Sequence, residues 1–215
     1  MGKDLSNYRK TYQKSDLLED NTPENPIELF QTWFYEVENF GGIDEPNAMN
    51  VATIGLDEFP KNRMVLLKRF TWEGFIFYTN YNSEKGKAIA ANPKVCLSFF
   101  WSNLERQVII KGIAEKLPKN LSDGYFESRP DGSKLGAWAS PQSTVVASRK
   151  ALDDALKTQE LHFKNKEIIR PEFWGGYLVK PQTIEFWQGR PNRMHDRIRY
   201  TLQADYSFLK ERLAP

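Results

Sequence analysis

The densest group of residues that could do chemistry lies near the C-terminal end, between Glu185 and Arg197. Arg193, His195 and Arg197 stand two positions apart, so an extended segment would direct the three side chains to one side. Such groups repel one another unless an electron-rich ring or oxygen lies between them. A single histidine is more often structural, but these neighbours favour a ligand site around His195. Trp187 is either a core residue or the border of a planar ring.

A second group consists of basic residues on predicted strands and helix starts. Arg63 and Lys68 are five positions apart. Strand alternation puts them on opposite faces, so we expect them to serve two different anions. Ser83–Lys87 opens a predicted helix with a hydroxyl cap and lysines, which is a favourable seat for an anion. Ser140–Ser143 has a proline at what we predict to be a first helical position, followed by two polar side chains.

A third group, Tyr125, Arg129 and Ser133, repeats at a spacing of four residues. On one ridge that leads from a helix into a loop, these three donors could clamp a phosphate. Each group alone is a weak signal, because charges at strand ends and capped, solvent-facing helices look the same. Together they predict two phosphate seats, one for a phosphorylated cofactor and one for a phosphorylated substrate.

Several common kinds of chemistry are disfavoured because their motifs are missing. The chain has no GxGxxG sequence, no P-loop and no GxSxG elbow. It has one cysteine, Cys96, and two histidines, His162 and His195. This count excludes a disulfide framework, a cysteine-rich zinc site and an HExxH metal site. We therefore predict no metal.

Length and charge narrow the class of protein further. The 215 residues suit one large domain or two small ones. Thirty basic and 28 acidic residues are too balanced for a partner such as nucleic acid or a membrane surface. No apolar run exceeds four residues, and the N-terminus has no apolar signal core. We expect a soluble, cytoplasmic protein.

The elements that must position these residues follow from the hydrophobic pattern. A flexible polar arm is predicted over residues 1–24, and a single domain is predicted over residues 25–215. Asn25 is predicted to cap a helix that ends at Gly41-Gly42, and further helices are expected over 83–92 and 148–163. Strands are predicted at 48–55, 63–70, 74–80, 94–101, 106–117 and 175–187. This order favours a mainly β protein, an antiparallel barrel or curled sheet with flanking helices.

These residues lie in motifs that resemble the pyridoxamine 5′-phosphate oxidase family. The motifs run in order over nearly the whole chain from about residue 9, and together they are highly specific. They are RMVLLK (63–68), FYTN (77–80), SEKGKA (83–88), ERQV (105–108), YFESRPDGSKLGAWASPQS (125–143), FWGG (173–176), IEFWQG (184–189), RMHDR (193–197) and RLAP (212–215).

The resemblance implies a fold and an activity. The family's fold is an FMN-binding split β-barrel, antiparallel and homodimeric, with FMN at the subunit interface. Its members use FMN and O2 to oxidise pyridoxamine 5′-phosphate and pyridoxine 5′-phosphate to pyridoxal 5′-phosphate. The reaction yields H2O2, and ammonia from the amine. An oxidoreductase of vitamin B6 salvage or biosynthesis is therefore expected.

Carried over position by position, the resemblance implies a cofactor site. Arg63 and Lys85 would meet the FMN phosphate, helped by Gln142 and Ser143 from the partner subunit. The residues implied along the rest of the cofactor are Met64, Val65, Leu66, Leu67, Lys68, Tyr78 and Thr79. Those implied at the isoalloxazine ring are Gln107, Trp187 and Arg197.

The same resemblance implies a substrate site. The residues that would grip the substrate phosphate are Lys68, Tyr125, Arg129 and Ser133. Arg193 and His195 would cover the pyridine ring opposite the flavin, with Met194 between them. Arg9 and Tyr12 would form a lid from the N-terminal arm. The implied catalytic residues are Arg193, His195 and Arg197.

One departure from the family's pattern bears on the cofactor. Glu84 stands where the family often has arginine, which removes one phosphate cation and adds a negative charge. We expect FMN to bind through Arg63, Lys85 and the helix amides, but more weakly.

Three other interpretations stay open. A phenazine-type oxidase of the same flavin-barrel group would lack the full phosphate grip. A non-catalytic flavin or pyridoxal phosphate carrier would need neither Arg193 nor His195. A purely structural barrel would not need the clustered motifs.

Overall fold

The computed structural model describes residues 2–215. Within them the chain forms nine strands, five α-helices and two 3₁₀ turns, the latter at Glu19–Asn21 and Pro191–Arg193. The strands are β1 (Ala48–Ile54), β2 (Pro60–Leu66), β3 (Arg69–Thr71), β4 (Gly74–Asn80), β5 (Lys94–Trp101), β6 (Arg106–Lys116), β7 (Trp174–Gln188), β8 (Asp196–Leu202) and β9 (Phe208–Arg212). The helices are α1 (Pro26–Phe40), α2 (Glu84–Ala91), α3 (Lys119–Glu127), α4 (Asp131–Ala139) and α5 (Arg149–His162). None of these helices is long and apolar enough to cross a membrane.

One sheet contains all of these strands. Its order is β2-β1-β5-β6-β7-β4-β3, and β8 and β9 extend it from β7. The long strand β7 changes partner along its length, pairing with β4 from Trp174 to Val179 and with β8 from Thr183 to Gln188. The pairs β3–β4, β4–β7, β7–β8 and β8–β9 are antiparallel. The prediction of a mainly β, antiparallel chain with flanking helices is confirmed.

The strands that the hydrophobic pattern located best have strong apolar faces. In β5 every second side chain is buried, namely Val95, Leu97, Phe99 and Trp101. This alternation is typical of a strand with one face on the core. β4 is buried along nearly its whole length. Both strands begin and end at the predicted residues.

The sequence pattern misses β8 and β9 and merges β2 with β3. In β8 only Ile198 and Tyr200 are buried, so its hydrophobic signal is short and is interrupted by charges. The predicted strand 63–70 is wrong as one element. It breaks after Leu66, and the amide of Lys68 donates to the carbonyl of Ile76 at the break.

Side-chain caps start three helices where they were predicted. Asn25 Oδ1 accepts from Ile27 N at 2.9 Å, and Ser83 Oγ and Ser148 Oγ accept from amides three residues on, at 3.2 Å each. The ridge expected to lead from a helix at Tyr125 into a loop at Ser133 is two helices, because Tyr125 lies on α3 and Ser133 on α4. The predicted helix start at Ser140–Ser143 is wrong, because Thr144 N donates to Pro141 O at 3.0 Å and closes a turn.

The chain divides into two compact units. Unit 1 comprises the residues up to Met49, Leu97–Lys111 and Pro181–Pro215. Unit 2 comprises Asn50–Cys96 and Gly112–Lys180. The single domain over 25–215 and the flexible arm over 1–24 stay predictions.

Each unit has its own aromatic core. In unit 1, the ring of Phe30 lies 5.3 Å from that of Phe99, and the ring of Trp33 lies 5.2 Å from that of Phe186. In unit 2, the ring of Tyr177 lies 5.7 Å from that of Phe77. Burial of such large apolar side chains is the main favourable contribution to folding.

Gly86 fixes how α2 leaves the preceding loop, and we predict that alanine there is destabilising. A Cβ at Gly86 would lie 2.2 Å from the carbonyl oxygen of Tyr81, which is a backbone atom. Gly86→Ala should therefore lower the free energy of unfolding by about 1–3 kcal/mol. Thermal unfolding followed by circular dichroism measures the effect. Gly124→Ala is the matched control, because nothing lies within 4 Å of the added Cβ and alanine favours α3. Equal melting temperatures for Gly86→Ala and the wild type would contradict the prediction.

Candidate functional site

Unit 2 contains a cavity of about 620 Å³ that gathers most of the predicted phosphate-binding residues. This volume suits a cofactor or substrate of ordinary size. The predicted residues that line it are Met64, Val65, Leu66, Lys68, Tyr78, Thr79, Lys85, Tyr125, Arg129, Ser133 and Gln142. Leu67 is buried and is not among its lining residues.

A second cavity of unit 2, about 550 Å³ in volume, shares Met64, Lys85 and Gln142 with the first. Arg63 and Ser143 line the second cavity and not the first, whereas Lys68 lines the first and not the second. The two cations therefore face different spaces, as expected, but strand alternation is not the reason, because β2 ends at Leu66 and Lys68 lies beyond it.

Lys85 is a buried cation at the start of α2. Its Nζ donates to Gln142 Oε1 at 2.9 Å and to Thr79 Oγ1 at 3.2 Å. Burial, and to a lesser degree the charge of Arg63, lower the pKa of Lys85. Both partners are neutral oxygens, so they orient the ammonium group without neutralising it. The resemblance implied that Gln142 comes from the partner subunit, but here Gln142 of the same chain already contacts Lys85.

Arg63 is held in the same way. Its Nη1 donates to Thr53 Oγ1 at 2.8 Å and to the carbonyl oxygen of Val51 at 3.1 Å. Burial lowers the pKa of Arg63, although a guanidinium group stays charged in proteins. The side chain is thus fixed by neutral acceptors on β1 and remains able to bind an anion.

Glu84 lies at the edge of this second cavity and is paired. Its Oε1 lies 2.5 Å from Lys61 Nζ, and the same ammonium group lies 2.8 Å from Asp57 Oδ2. Lys61 lies outside the sequence motifs. Its position two residues before Arg63 on β2 places both on one face of the strand, and this spacing could have found it. The negative charge of Glu84 is therefore partly compensated by a cation that also lines the cavity.

The first cavity has an aromatic wall. The rings of Tyr78 and Tyr125 stack at 3.9 Å and 19°, and Trp174 stacks on Tyr78 at 5.5 Å. The guanidinium carbon of Arg129 lies 4.6 Å from the centre of the Trp174 ring. FWGG marked Trp174 as part of a motif, but the sequence alone gave it no role.

Arg129 carries a buried donor that no other part of the described chain satisfies. Its Nη1 is buried and has no hydrogen-bond partner among residues 2–215. Burial also lowers the pKa of Arg129, so the protein alone stabilises this charge poorly. A donor left in this state, beside Tyr125 and Ser133 in the same cavity, fits an anionic ligand with several acceptor oxygens.

Unit 1 brings together three other predicted residues. The ring of Tyr12 lies 5.7 Å from that of Trp187 and 5.8 Å from that of His195, and the rings of Trp187 and His195 lie 4.7 Å apart. All three side chains are half-buried. Trp187 therefore belongs to an aromatic cluster at the rim of unit 1 and is not a fully buried core residue.

The hydrogen bond of His195 fixes the role of its ring nitrogens. Its Nδ1 accepts from the backbone N–H of Arg190 at 3.0 Å. The neutral ring therefore carries its proton on Nε2. In this form His195 offers a hydrogen-bond donor to a ligand.

The expectation that one extended segment aligns Arg193, His195 and Arg197 is wrong. Arg193 closes the 3₁₀ turn at φ 62°, and only Arg197 lies on a strand, β8. Arg197 Nε donates to Glu185 Oε1 at 2.8 Å, and its Nη1 donates to Ala214 O at 2.8 Å. Glu185 is thus one electron-rich partner of Arg197 within the protein.

The remaining predicted residues of unit 1 lie at or near the surface. Arg193 and Met194 are exposed, and Gln107 is half-buried on β6. Arg9 is exposed, and its Nε donates to the carbonyl oxygen of Ser6 at 3.0 Å. The structure describes these residues within unit 1, and their ligand roles stay predictions.

Comparison with known proteins identifies the family. The family model described as pyridoxamine 5′-phosphate oxidase matches residues 36–163, and the one described as the pyridoxine 5′-phosphate oxidase C-terminal dimerisation region matches residues 174–215. A pyridoxine/pyridoxamine 5′-phosphate oxidase of Flavobacterium psychrophilum is 68% identical over 213 residues, which is 99% of this chain and 100% of that protein. A pyridoxine/pyridoxamine 5′-phosphate oxidase of Christiangramia forsetii is 50% identical over 100% of both chains.

Solved structures agree with this fold. PhzG from Burkholderia lata, in complex with tetrahydrophenazine-1-carboxylic acid, superposes with a TM-score of 0.86 at 25% identity, over 94% of this chain and 100% of that chain. A pyridoxamine 5′-phosphate oxidase-related, FMN-binding protein from Nostoc punctiforme has a TM-score of 0.70 at 14% identity, over 90% of this chain and 100% of that chain. The family models and the full-length relatives show that this chain belongs to the pyridoxamine 5′-phosphate oxidase family.

Proposed function

We propose that this protein is an FMN-dependent pyridoxal 5′-phosphate synthase of the EC 1.4.3.5 class. It would oxidise pyridoxamine 5′-phosphate and pyridoxine 5′-phosphate to pyridoxal 5′-phosphate, with O2 as the acceptor. The gathering of Lys68, Tyr125, Arg129 and Ser133 around one cavity carries this proposal, because these are the four side chains that the resemblance implies at the substrate phosphate. Family membership supports the same reaction.

The second cavity fits the phosphate of FMN. Arg63 and Lys85 are fixed by neutral oxygens and keep their charge, as described above. The amides at the start of α2 add donors that favour an anion. Tyr78 and Thr79 would contact the rest of the cofactor, and Gln107, Trp187 and Arg197 keep the ring contacts that the resemblance implies.

The first cavity fits the phosphate of the substrate. Lys68 supplies a flexible cation, Arg129 a planar fork of donors, and Tyr125 and Ser133 supply hydroxyls. Four donors around one phosphate would fix the substrate by its non-reacting end. Such remote binding energy is what positions the reacting carbon.

When bound, FMN supplies the acceptor for the hydride from C4′ of the substrate, and O2 takes up the electrons to give H2O2. The chain's own residues bind and orient. His195 would donate through Nε2 to the substrate ring, because its Nδ1 is occupied by the amide of Arg190. Arg193 is exposed on its turn and would reach an oxygen attached to the pyridine ring of the substrate. Arg197 is held by Glu185, which fixes its direction.

We also propose that the protein acts as a homodimer. The match of residues 174–215 to a dimerisation region supports this assembly. A cytoplasmic location, and the absence of nucleic-acid and membrane partners, stay predictions from the sequence.

The first prediction for this function is spectroscopic. The protein purified with FMN should show flavin absorption that corresponds to about one bound FMN per chain. Pyridoxamine 5′-phosphate should bleach them without oxygen, and air should restore them. A colourless protein that riboflavin phosphate cannot reconstitute would contradict the proposal. Bleaching by a tetrahydrophenazine carboxylic acid but not by either vitamin B6 phosphate would favour the phenazine-type oxidase.

The second prediction separates substrate orientation from cofactor binding. Arg193→Ala and His195→Ala should each lower turnover about tenfold to a hundredfold, because an orienting hydrogen bond to the substrate is lost. FMN occupancy, measured by absorbance, should stay at the wild-type level. His162→Ala is the matched control, because His162 is exposed at the end of α5. Loss of the yellow cofactor in either variant would show that the assigned roles are wrong.

The third prediction concerns the pair of Lys61 and Glu84. Lys61→Met leaves the negative charge of Glu84 uncompensated beside the FMN phosphate, so FMN binding should weaken about fivefold. The same change in a Glu84→Gln background should have less than half that effect on the logarithm of Kd, because residue 84 then carries no charge and only Asp57 loses its partner. Glu84→Arg should bind FMN more tightly than the wild type. Fluorescence titration measures these affinities, and equal affinity of Glu84→Arg and wild type would refute the electrostatic explanation.

A further inference from the structure

Glu105 is a buried carboxylate that the proposed chemistry does not use. It lies just before β6 and is 1% exposed. Its Oε2 accepts from the backbone amides of Gln13 at 2.8 Å and Lys14 at 3.1 Å. Its Oε1 lies 3.1 Å from Lys10 Nζ. One side chain therefore binds three residues of the N-terminal arm, more than 90 positions away along the chain.

The carboxylate stays ionised because these partners outweigh the cost of burial. Burial alone would raise the pKa of Glu105. The hydrogen bonds from Lys10 and from the amides of Lys14 and Gln13 hold the pKa below its usual value. Hydrogen bonds to an ionised acceptor are also stronger than those between neutral groups.

The backbone of Glu105 binds the end of β7. Its carbonyl oxygen accepts from Gly189 N at 2.8 Å and from Gln188 Nε2 at 3.3 Å. Glu105 adopts φ 58°, a conformation uncommon for residues other than glycine and asparagine. This conformation lets one residue join the arm through its side chain and the end of β7 through its backbone.

Tyr12 lies directly before the two amides that Glu105 binds. Its ring contacts Trp187 and His195, as described above. Gly189 allows this approach, because a Cβ there would lie 2.7 Å from Tyr12 Cγ. Lys14 adds a second attachment, since its Nζ donates to the carbonyl oxygen of Asn103 at 2.5 Å.

We propose that Glu105 is a positioning residue, which fastens residues 10–14 and thereby holds Tyr12 against Trp187 and His195. The attachment itself does not depend on which ligand is bound. Its consequence for catalysis rests on the proposed function: a fixed Tyr12 would lower the KM for the phosphorylated substrate. Turnover at saturation would depend on it little.

Hydrogen exchange measured by mass spectrometry tests the attachment directly. Glu105→Asn tolerates the backbone conformation but is too short to reach the arm. In this variant, exchange at Gln13 and Lys14 should be at least tenfold faster, and trypsin should cut after Lys10 and Lys14 at least tenfold faster. Glu105→Gln, which keeps the length and loses the charge, should lie between Glu105→Asn and the wild type. Glu211→Gln, which breaks the ion pair with Arg199 in unit 1, is the control and should leave the arm unchanged.

Kinetics then test the consequence for Tyr12. Glu105→Asn should raise KM at least fivefold and change kcat less than twofold. Tyr12→Ala should raise KM similarly while exchange at Gln13 and Lys14 stays at the wild-type rate, because it removes the ring and leaves the carboxylate in place. Wild-type exchange rates in a folded Glu105→Asn variant would overturn the attachment. A freed arm with unchanged KM would overturn the positioning of Tyr12. Absence of oxidase activity in the wild type would reject the proposed function alone, since the exchange experiment needs no substrate.

Discussion

A cation removed from water needs an anion or several dipoles, and in unit 2 the hydrogen bonds of Lys85 and Arg63 go to neutral oxygens. Lys85 is held by a hydroxyl and an amide oxygen, and Arg63 by a hydroxyl and a carbonyl oxygen. Arg129 has one nitrogen with no partner in the described chain. Neutral acceptors fix where these groups point without cancelling their charge. Positive charge thus faces the two cavities, and donors arranged in advance in this way bind a phosphate at little cost of reorganisation.

Two other arginines with buried side chains have carboxylates of the protein as partners. Arg106 pairs with Glu36, and Arg170 Nε lies 2.6 Å from Asp123 Oδ1. These guanidinium groups are neutralised inside the protein, and they join elements within their own units. The chain has 30 basic residues, so composition cannot show which of them remain available to a ligand. The type of partner, neutral oxygen or carboxylate, shows which of these cations keep a charge that the protein does not compensate.

The same distinction explains how far the sequence could predict the site. Apolar faces located β4 and β5, and hydroxyl or amide caps located the starts of α1, α2 and α5. Motif resemblance located the cavity residues from Arg63 to Gln142. The spacing of charges did not predict the arrangement of Arg193, His195 and Arg197. Contacts within the protein set it instead, such as the hydrogen bond from Arg197 to Glu185. Lys61 went unnoticed because it lies outside the motifs, although its position two residues before Arg63 places both side chains on one face of β2.

Backbone strain also follows the candidate site. In residues 2–215, seven non-glycine residues have a positive φ. Four of them, Glu105, Ser143, Asn192 and Arg193, lie in segments that carry or hold predicted ligand-binding residues. Such conformations persist only where surrounding contacts compensate for them. For Glu105 these contacts are visible: arm amides on its carboxylate, and Gly189 and Gln188 on its carbonyl oxygen. The unfavourable φ of Glu105 thus lets its side chain bind the N-terminal arm while its carbonyl oxygen binds the end of β7. These two distant parts of the chain meet at Tyr12.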